Sequence, residues 1–494
     1  MFPKVSKATL KVIIAACFGS ISYGYVSGVG GTIIAQPTFI DYFNYDSSAS
    51  IADTFNGLLS GGGLIGVFIG GTLSESYGRR FAIWCGSLIG VIGATLMTAS
   101  VDIPMLYVSR IILGMSIGML VMLIPLYQTE VAPTEGRGLL VCMHGVLILI
   151  GYCMAFWINV GVYFLKTEGS WRIPAGIQIL WPIALAISLF FLPESPRWLI
   201  EHGEIEKARK IMMELEPEMT NEEFDLLHHQ ISIENQKSSW LSILTTKSYR
   251  RRLYVGLSVM IGGQATGTLV VTNYGPTLYA ALGFNNLNQL LISSGYITCG
   301  VLSNLASAFL SDVAGRKTLM IVGIFGSGII AMSFETIMVA LYGGSDNKSG
   351  NAAAVFFMFF HILIYGGCVD ANTYVYVNEI WPTHIRSKGA ALCTSGLFIG
   401  ILAFTTGVTT AINTIHWKFF IVFICLSTVF LVIAWFFFPE TKNVSLEEVG
   451  RLFGDYPLED DNQVNAIDGK SLEKSLKETH NILVKEEKSI EQSV

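Results

Sequence analysis

The sequence predicts an all-α membrane protein built as a duplicated helical bundle, and three observations predict it. First, 52% of the 494 residues are hydrophobic and only 14% are charged, against roughly 25% charged in ordinary soluble domains. Such a chain cannot cover its apolar surface with polar groups and needs lipid as solvent. Second, about twelve apolar stretches are long enough to cross a bilayer, which takes about 20 residues each. Third, charged patterns recur at nearly one spacing. The run from Gly71 through Glu75 to Gly78-Arg79-Arg80 returns as Asp312 and Gly315-Arg316-Lys317. Glu130 with Arg137 returns as Glu379 with Arg386, and Pro193-Glu194 returns as Pro439-Glu440. The offsets are 237, 249 and 246 residues, which marks an internal duplication.

The predicted spans lie near 10–31, 54–75, 81–100, 104–127, 139–164, 172–192, 252–279, 287–310, 318–341, 353–377, 388–411 and 418–438. Lipid offers the backbone no hydrogen bonds, so each should be a helix. The first stretch is rich in glycine and has no Ala-x-Ala exit, so it is expected to remain a span and not a cleaved leader. In the second, Gly62, Gly66 and Gly70 recur every four residues, which allows close helix approach. Tight packing is the plain reading of that stripe; a smooth face between moving halves is the finer one. Residues 193–251 interrupt the apolar pattern. Glu204 to Leu215 and Glu222 to His229 have narrow apolar stripes, which predicts short amphipathic helices linking the halves. The polar tail is expected to be largely disordered after about 455. The expected divisions are 1–192, 193–251, 252–440 and 441–494.

Lys and Arg placement sets orientation. Loops near 35–53 and 281–286 carry neither residue, whereas Arg79, Arg80, Arg137, Arg197, Arg250–Arg252, Arg316, Lys317, Arg386 and Lys388 fall on the other side. Both termini are therefore expected to be cytoplasmic. Asn347-Lys-Ser349 then faces outward as a candidate glycosylation site, and Asn443-Val-Ser445 faces inward. The eight cysteines all lie in predicted spans without metal or redox spacing, so they read as packing residues and no metal site is expected. A net charge of −6 gives no argument for nucleic acid.

Topology alone accounts for the arginines but not for Glu130 and Glu379, which sit at inner helix ends in both halves. Acid–base networks there can hold one face closed and release it when they break. The expected latch comprises Arg79, Arg80, Glu130, Arg137, Asp312, Arg316, Lys317, Glu379 and Arg386. Its pairs are expected to be partly solvated and worth about 0–1 kcal/mol each.

With Pro125-Leu-Tyr-Gln-Thr-Glu130-Val-Ala-Pro133, Pro193-Glu-Ser-Pro-Arg197-Trp198 and Pro439-Glu-Thr-Lys442 added, the chain resembles the fungal-type sugar porter family of the major facilitator superfamily. The resemblance covers roughly residues 10–450. It implies two pseudo-symmetric six-helix bundles of the major facilitator fold, cytoplasmic helices between them, and alternating access to a central site. It also implies a polyhydroxylated small-molecule substrate and no cofactor, and no catalytic array is suggested.

Several family positions differ. The sugar-binding Gln of the fifth span is replaced by Gly145, beside His144. In the seventh span Gln264 survives, but the family Asn does not. The eighth-span Asn is Gly300, the tenth-span Trp is Tyr374, and the polar–Trp pair of the eleventh span is Leu397-Phe398. Each unreplaced hydrogen bond to a sugar hydroxyl is worth about 1–3 kcal/mol, so hexose binding should be weakened or reshaped. Thr272, Asn273, Tyr274, Asn372 and Gln128 could compensate.

Proton-coupled members often carry an Asp in the first span, where this chain has Val26. Arg110 matches the basic partner of that Asp, so here it lacks a proton-exchanging mate, which favours a facilitator. Asp370 shares a helix face with Tyr374 four residues on. It is open to three roles: substrate contact, proton coupling or structure. Glu335 reads as structural, and His144 and His361 as packed histidines that could titrate near neutrality.

The expected function is passage of a sugar or polyol across the plasma membrane by a monomeric unit among lipids. Gln264, Tyr374 and Asp370 are the expected contacts, with Asn273 and Tyr274 near an outer gate. Proton symport through Asp370 is the alternative, and a non-transporting nutrient sensor is the alternative from another class. The short tail after 440 and the intact latch speak against the sensor.

Overall fold

A computed structural model describes residues 6–34, 36–44, 50–132, 137–165, 167, 169–234, 239–343, 345, 347–442, 444 and 449–454. Among them, twelve helices are long and apolar enough to cross a membrane. Spans 1 to 6 are Thr9–Ile33, Asp53–Tyr77, Arg79–Thr98, Ile103–Val131, Gly138–Tyr163 and Arg172–Phe191. Spans 7 to 12 are Lys247–Ala281, Asn286–Ala314, Arg316–Tyr342, Lys348–Glu379, Thr383–Thr405 and Lys418–Phe437. They form the two six-helix bundles of the expected fold. The tail from 455, the Asn443 sequon and the Arg137 side chain lie outside the described residues.

Span 7 differs most from the sequence expectation, because it is two helices. Lys247–Gln264 stops at Ala265, and Thr268–Ala281 starts after Gly267, whose φ of +84° is left-handed. Glycine adopts that conformation without a Cβ penalty, and a Cβ there would also meet Met332 Cε at 2.4 Å. Spans 9 and 10 contain π turns over Ile324–Ala331 and Gly366–Asp370. Such turns widen a helix locally and recur at functional sites.

The second-span glycines pack on two different faces. Cβ atoms on Gly62 and Gly66 would meet the carbonyls of Ile111 and Met115 in span 4, at 2.3 and 2.1 Å. This face is close packing within one bundle. Gly63 and Gly71 instead lie against Phe398 and Ala391 of span 11, in the other bundle. The seam between bundles continues where Val141, Cys142 and Val146 of span 5 pack on Ala308, Ala371 and Val375.

The stretch between the bundles holds four helices: Pro196–Glu201, Ile205–Leu215, Asn221–Glu234 and Trp240–Thr245. Leu199, Ala208, Met212, Phe224 and Ile231 give it a core of its own, as the apolar stripes predicted.

Candidate functional site

The duplicated charges build two matching clusters at one end of the bundles. In the first, Arg79 donates to Glu130 through Nε at 2.8 Å and Nη2 at 2.9 Å, a bidentate geometry specific to arginine and carboxylate. Glu194 Oε1 accepts from the backbone N–H of Arg79 at 2.9 Å and of Arg80 at 3.2 Å. In the second, Arg316 pairs with Glu379 at 3.2 Å and Asp312 at 3.0 Å. Glu440 accepts from the backbone of Arg316 and Lys317 at 2.9 and 3.1 Å. Even the braces repeat, with Tyr127 donating to the Pro193 carbonyl and Tyr376 to that of Pro439. Gly78 and Gly315 have φ of +95° and +89°, and a Cβ on either would strike the capping carboxylate. The Gly-Arg motif is thus a left-handed turn held against an anion at a helix N-terminus.

These clusters correct the expected strength of the latch. Arg79 and Glu130 side chains are 1% and 0% exposed, so the figure for solvated pairs does not apply. Removing one partner of a buried pair costs about 3–5 kcal/mol. Each pair also lies within its own bundle, and so holds that bundle together. The contacts between bundles are different ones. Lys388 Nζ donates to Glu75 at 2.9 Å, with exposures of 11% and 31%. Asp312 accepts from the Leu139 N–H at 3.2 Å, at the start of span 5. Arg386 approaches Glu130 at 3.9 Å, while its other nitrogens hold the Trp381 carbonyl and Thr383. Glu201, half-buried in the first linker helix, lies within the electrostatic reach of Arg79, Glu130, Arg386 and Glu75; burial pushes its carboxyl up to about 7.

At the opposite end Tyr274 donates to Asp53 at 2.7 Å and to the Thr405 carbonyl at 3.0 Å. This ties the second half-helix of span 7 to spans 2 and 11. Between the two closures lies a cavity of about 30 Å³ whose walls include Tyr23, Ser27, Asn56, Tyr152, Asn273 and Phe398. At roughly 10–15 Å³ for one water, this volume is far too small for a hexose. Closed at both ends, the chamber is in a contracted state.

The predicted contact residues divide. Asn273 lines the cavity, and Tyr274 seals it. Asp370 and Tyr374 lie in span 10, with Asp370 accepting from Asn304 Nδ2. The Asp370 carboxylate is within electrostatic reach of Tyr23, Tyr152, Tyr365 and Tyr374. Two of those tyrosines line the cavity, which connects Asp370 to it. Gln264 ends the first half-helix of span 7, its stem against Gly400 and its buried Oε1 without a partner among the described residues. Gln128 is likewise buried, with neither amide atom bonded among the described residues. Asn372 is bonded to Ser307, Ser311 and the Cys368 carbonyl. Thr272 is bonded to the Thr268 carbonyl. Glu75, Lys388, Asp53 and Asn304 were not singled out by the sequence for these roles, although Glu75 stands inside the repeated motif and Lys388 among the cytoplasmic cations.

Arg110 is fully buried, with its guanidinium 3.6 Å from the Phe55 ring centroid. Arg110 Nη1 donates to the carbonyl of Val26 at 3.2 Å, the residue standing where proton-coupled family members often carry an acid. Nε and Nη2 have no partner among the described residues.

The family model described as "Sugar (and other) transporter" matches residues 12–453. The chain belongs to that family. It is 30% identical over 453 residues to MFS-type transporter criB of Aspergillus cristatus, covering 90% of this chain and 93% of the relative. It is 27% identical to the high-affinity glucose transporter of Kluyveromyces lactis, over 89% and 84%. Among solved structures, the proton:xylose symporter XylE bound to 6-bromo-6-deoxy-D-glucose superposes with a TM-score of 0.79 at 22% identity, over 90% of this chain and 99% of that one. The fold is therefore that of the major facilitator superfamily, and the protein is a multi-pass membrane transporter.

For a sugar-transporter family member, its departures have local causes. A Cβ on Gly145 would stand 2.9 Å from Ala371 Cα and 3.3 Å from Asn304 Oδ1. The space of the family glutamine is taken by the approach of spans 5 and 10. Beside it, His144 bonds Ser20 at 2.8 Å and meets the Tyr374 ring edge-on at 5.0 Å. Asn304, one turn beyond Gly300, places a buried carboxamide against Asp370.

Proposed function

We propose that this transporter carries a neutral hydroxyl-bearing solute, a sugar or polyol, by facilitated alternating access. The observation carrying the reading is the chamber wall. Its polar groups are phenols, hydroxyls and carboxamides, and no charged residue lines it. Such groups can replace the hydrogen bonds of hydroxyls leaving water, whereas an ionic solute would stay unpaired at a cost of several kcal/mol. The named activities of the glucose transporter and the xylose symporter fit that chemistry. Loading enlarges the chamber toward Gln264, Asp370 and Tyr374, which become contacts with Asn273 and Tyr274. Facilitation follows from Arg110, whose bond to Val26 leaves no acid to trade protons with it.

The bundles 1–192 and 252–440 move about this chamber, with 193–251 between them and 441–494 as tail. Lys and Arg placement puts the charged end and both termini in the cytoplasm, and the plasma membrane is the proposed location. Asp370 supports a second reading, proton symport, because a carboxylate among tyrosines at a cavity can bind a proton.

Counterflow in proteoliposomes, screened with labelled hexoses, pentoses, disaccharides and polyols beside an internal pH dye, tests this. We expect counterflow without alkalinisation. Alkalinisation lost in Asp370→Asn would establish the symporter instead. Binding without flux would make the protein a sensor and overturn transport itself.

A further inference from the structure

A chain of buried polar groups crosses the break in span 7, and neither the chamber nor the charged end uses it. Glu335 of span 9 and His361 of span 10 are both 0% exposed. Glu335 Oε1 and His361 Nδ1 are 3.0 Å apart. His361 Nε2 is 2.9 Å from Thr268 Oγ1, the first residue of the second half-helix. Thr268 Oγ1 is 3.0 Å from Thr266 Oγ1, inside the break, and Thr266 donates to the Gly263 carbonyl at 2.8 Å. The chain therefore joins both sides of the break to the two spans that carry π turns.

Counting hydrogens fixes its protonation. A carbonyl only accepts, so the single Thr266 hydroxyl hydrogen is committed to Gly263. The bond between the threonines must then use the hydrogen of Thr268. Thr268 consequently accepts from His361, whose Nε2 carries a proton. The contact between Nδ1 and Glu335 needs a proton as well, held by either partner. The unbroken chain thus describes a dyad with one shared proton and no net charge, which is the form burial favours.

We propose that Glu335 and His361 are a proton-binding switch controlling the second half-helix of span 7. If the shared proton leaves to water, the remaining one is drawn to Nδ1 by the carboxylate. Nε2 then becomes an acceptor, Thr268 turns to donate to it, and the bond across the break is lost. That half-helix carries the Tyr274 seal to Asp53 and Thr405, so proton release loosens the seal. The other titratable groups facing Glu335 are the phenols of Tyr279 in span 7 and Tyr296 in span 8, which ordinarily titrate near pH ~10. No lysine or arginine pairs with it among the described residues.

Hydrogen exchange of the full chain in nanodiscs, read by mass spectrometry over 268–281, tests the switch. Labelling times are matched for intrinsic exchange across a series from about pH 5 to about pH 8. Protection should fall several-fold as pH rises. Glu335→Gln, whose amide can donate to Nδ1 at any pH, should keep protection high throughout. Thr268→Val, which removes the hydroxyl partner of His361 Nε2 and so cuts the chain beside the dyad, should give low protection at every pH. Asp370→Asn should retain the wild-type step. A wild type with no step, a step persisting in Glu335→Gln, or a step abolished by Asp370→Asn would overturn the proposal.

Discussion

Lys388 donates to the Glu75 carboxylate at 2.9 Å across 313 residues of sequence, joining span 11 of one bundle to span 2 of the other. The pair is partly solvated, whereas Arg79–Glu130 is enclosed within a single bundle. Charge at this end therefore has two tasks. Arg79–Glu130 and Arg316–Glu379 lie within single bundles, whereas the half-exposed Lys388–Glu75 pair and the longer, buried approach of Arg386 to Glu130 run between them.

The two kinds of pair should fail differently. Glu130→Gln leaves a buried arginine short of its carboxylate, at about 3–5 kcal/mol, and should lower the thermal unfolding midpoint markedly. Glu75→Gln removes a contact worth about 0–1 kcal/mol and should leave the midpoint nearly unchanged. Melting curves of purified protein compare them directly; equal losses would refute the division.

Restoring the family glutamine should harm the protein. Gly145→Gln drives a side chain into Ala371 and Asn304, and overpacking costs about 1–3 kcal/mol. A lower melting midpoint and reduced counterflow are expected. A gain in hexose counterflow at unchanged stability would show that spans 5 and 10 are not in contact where substrate binds.

Stability should depend on pH through Glu201. Burial raises its carboxyl from 4.5 to about 7, so the folded chain holds a proton that the unfolded chain has released. Linkage then lowers stability as pH climbs from about 4.5 to about 7 and leaves it level above. Glu201→Gln should remove that slope, as measured by unfolding midpoints across the interval.

Supplying the missing acid should create proton coupling. Val26→Asp places a carboxyl at the residue whose carbonyl now holds Arg110. Substrate-driven alkalinisation, expected to be absent in the parent, should appear in proteoliposomes containing the variant. Its absence would show that Arg110 cannot reach an acid at that position.

The spans were legible because lipid demands long apolar runs, and the charged clusters because duplication wrote them twice. Gly78 and Gly315 could be located from sequence, but that each makes room for a carboxylate at Glu194 or Glu440 emerges only from the fold. The break at Gly267 was hidden because the stretch around Gln264 read as a contact motif inside one continuous span. Gly145 read as a lost contact; in space it is a helix crossing. Glu75 with Lys388 and Asp53 with Tyr274 were hidden because nothing local links residues 313 or 221 positions apart. Asn304 was missed because it sits one turn away from the family position.

The most direct test of the closure uses a native thiol. Cys142 is buried at the seam beside Val146, Ala308 and Ala371, and Cys393 is buried beside Trp381 within the second bundle. The alkylation rate of each, followed by peptide mass in Lys388→Ala and in the parent, separates opening from general loosening. The account predicts faster labelling of Cys142, up to about 5-fold for a contact of about 1 kcal/mol, with Cys393 unchanged. An unaltered Cys142 rate, or an equal rise at both cysteines, would contradict it.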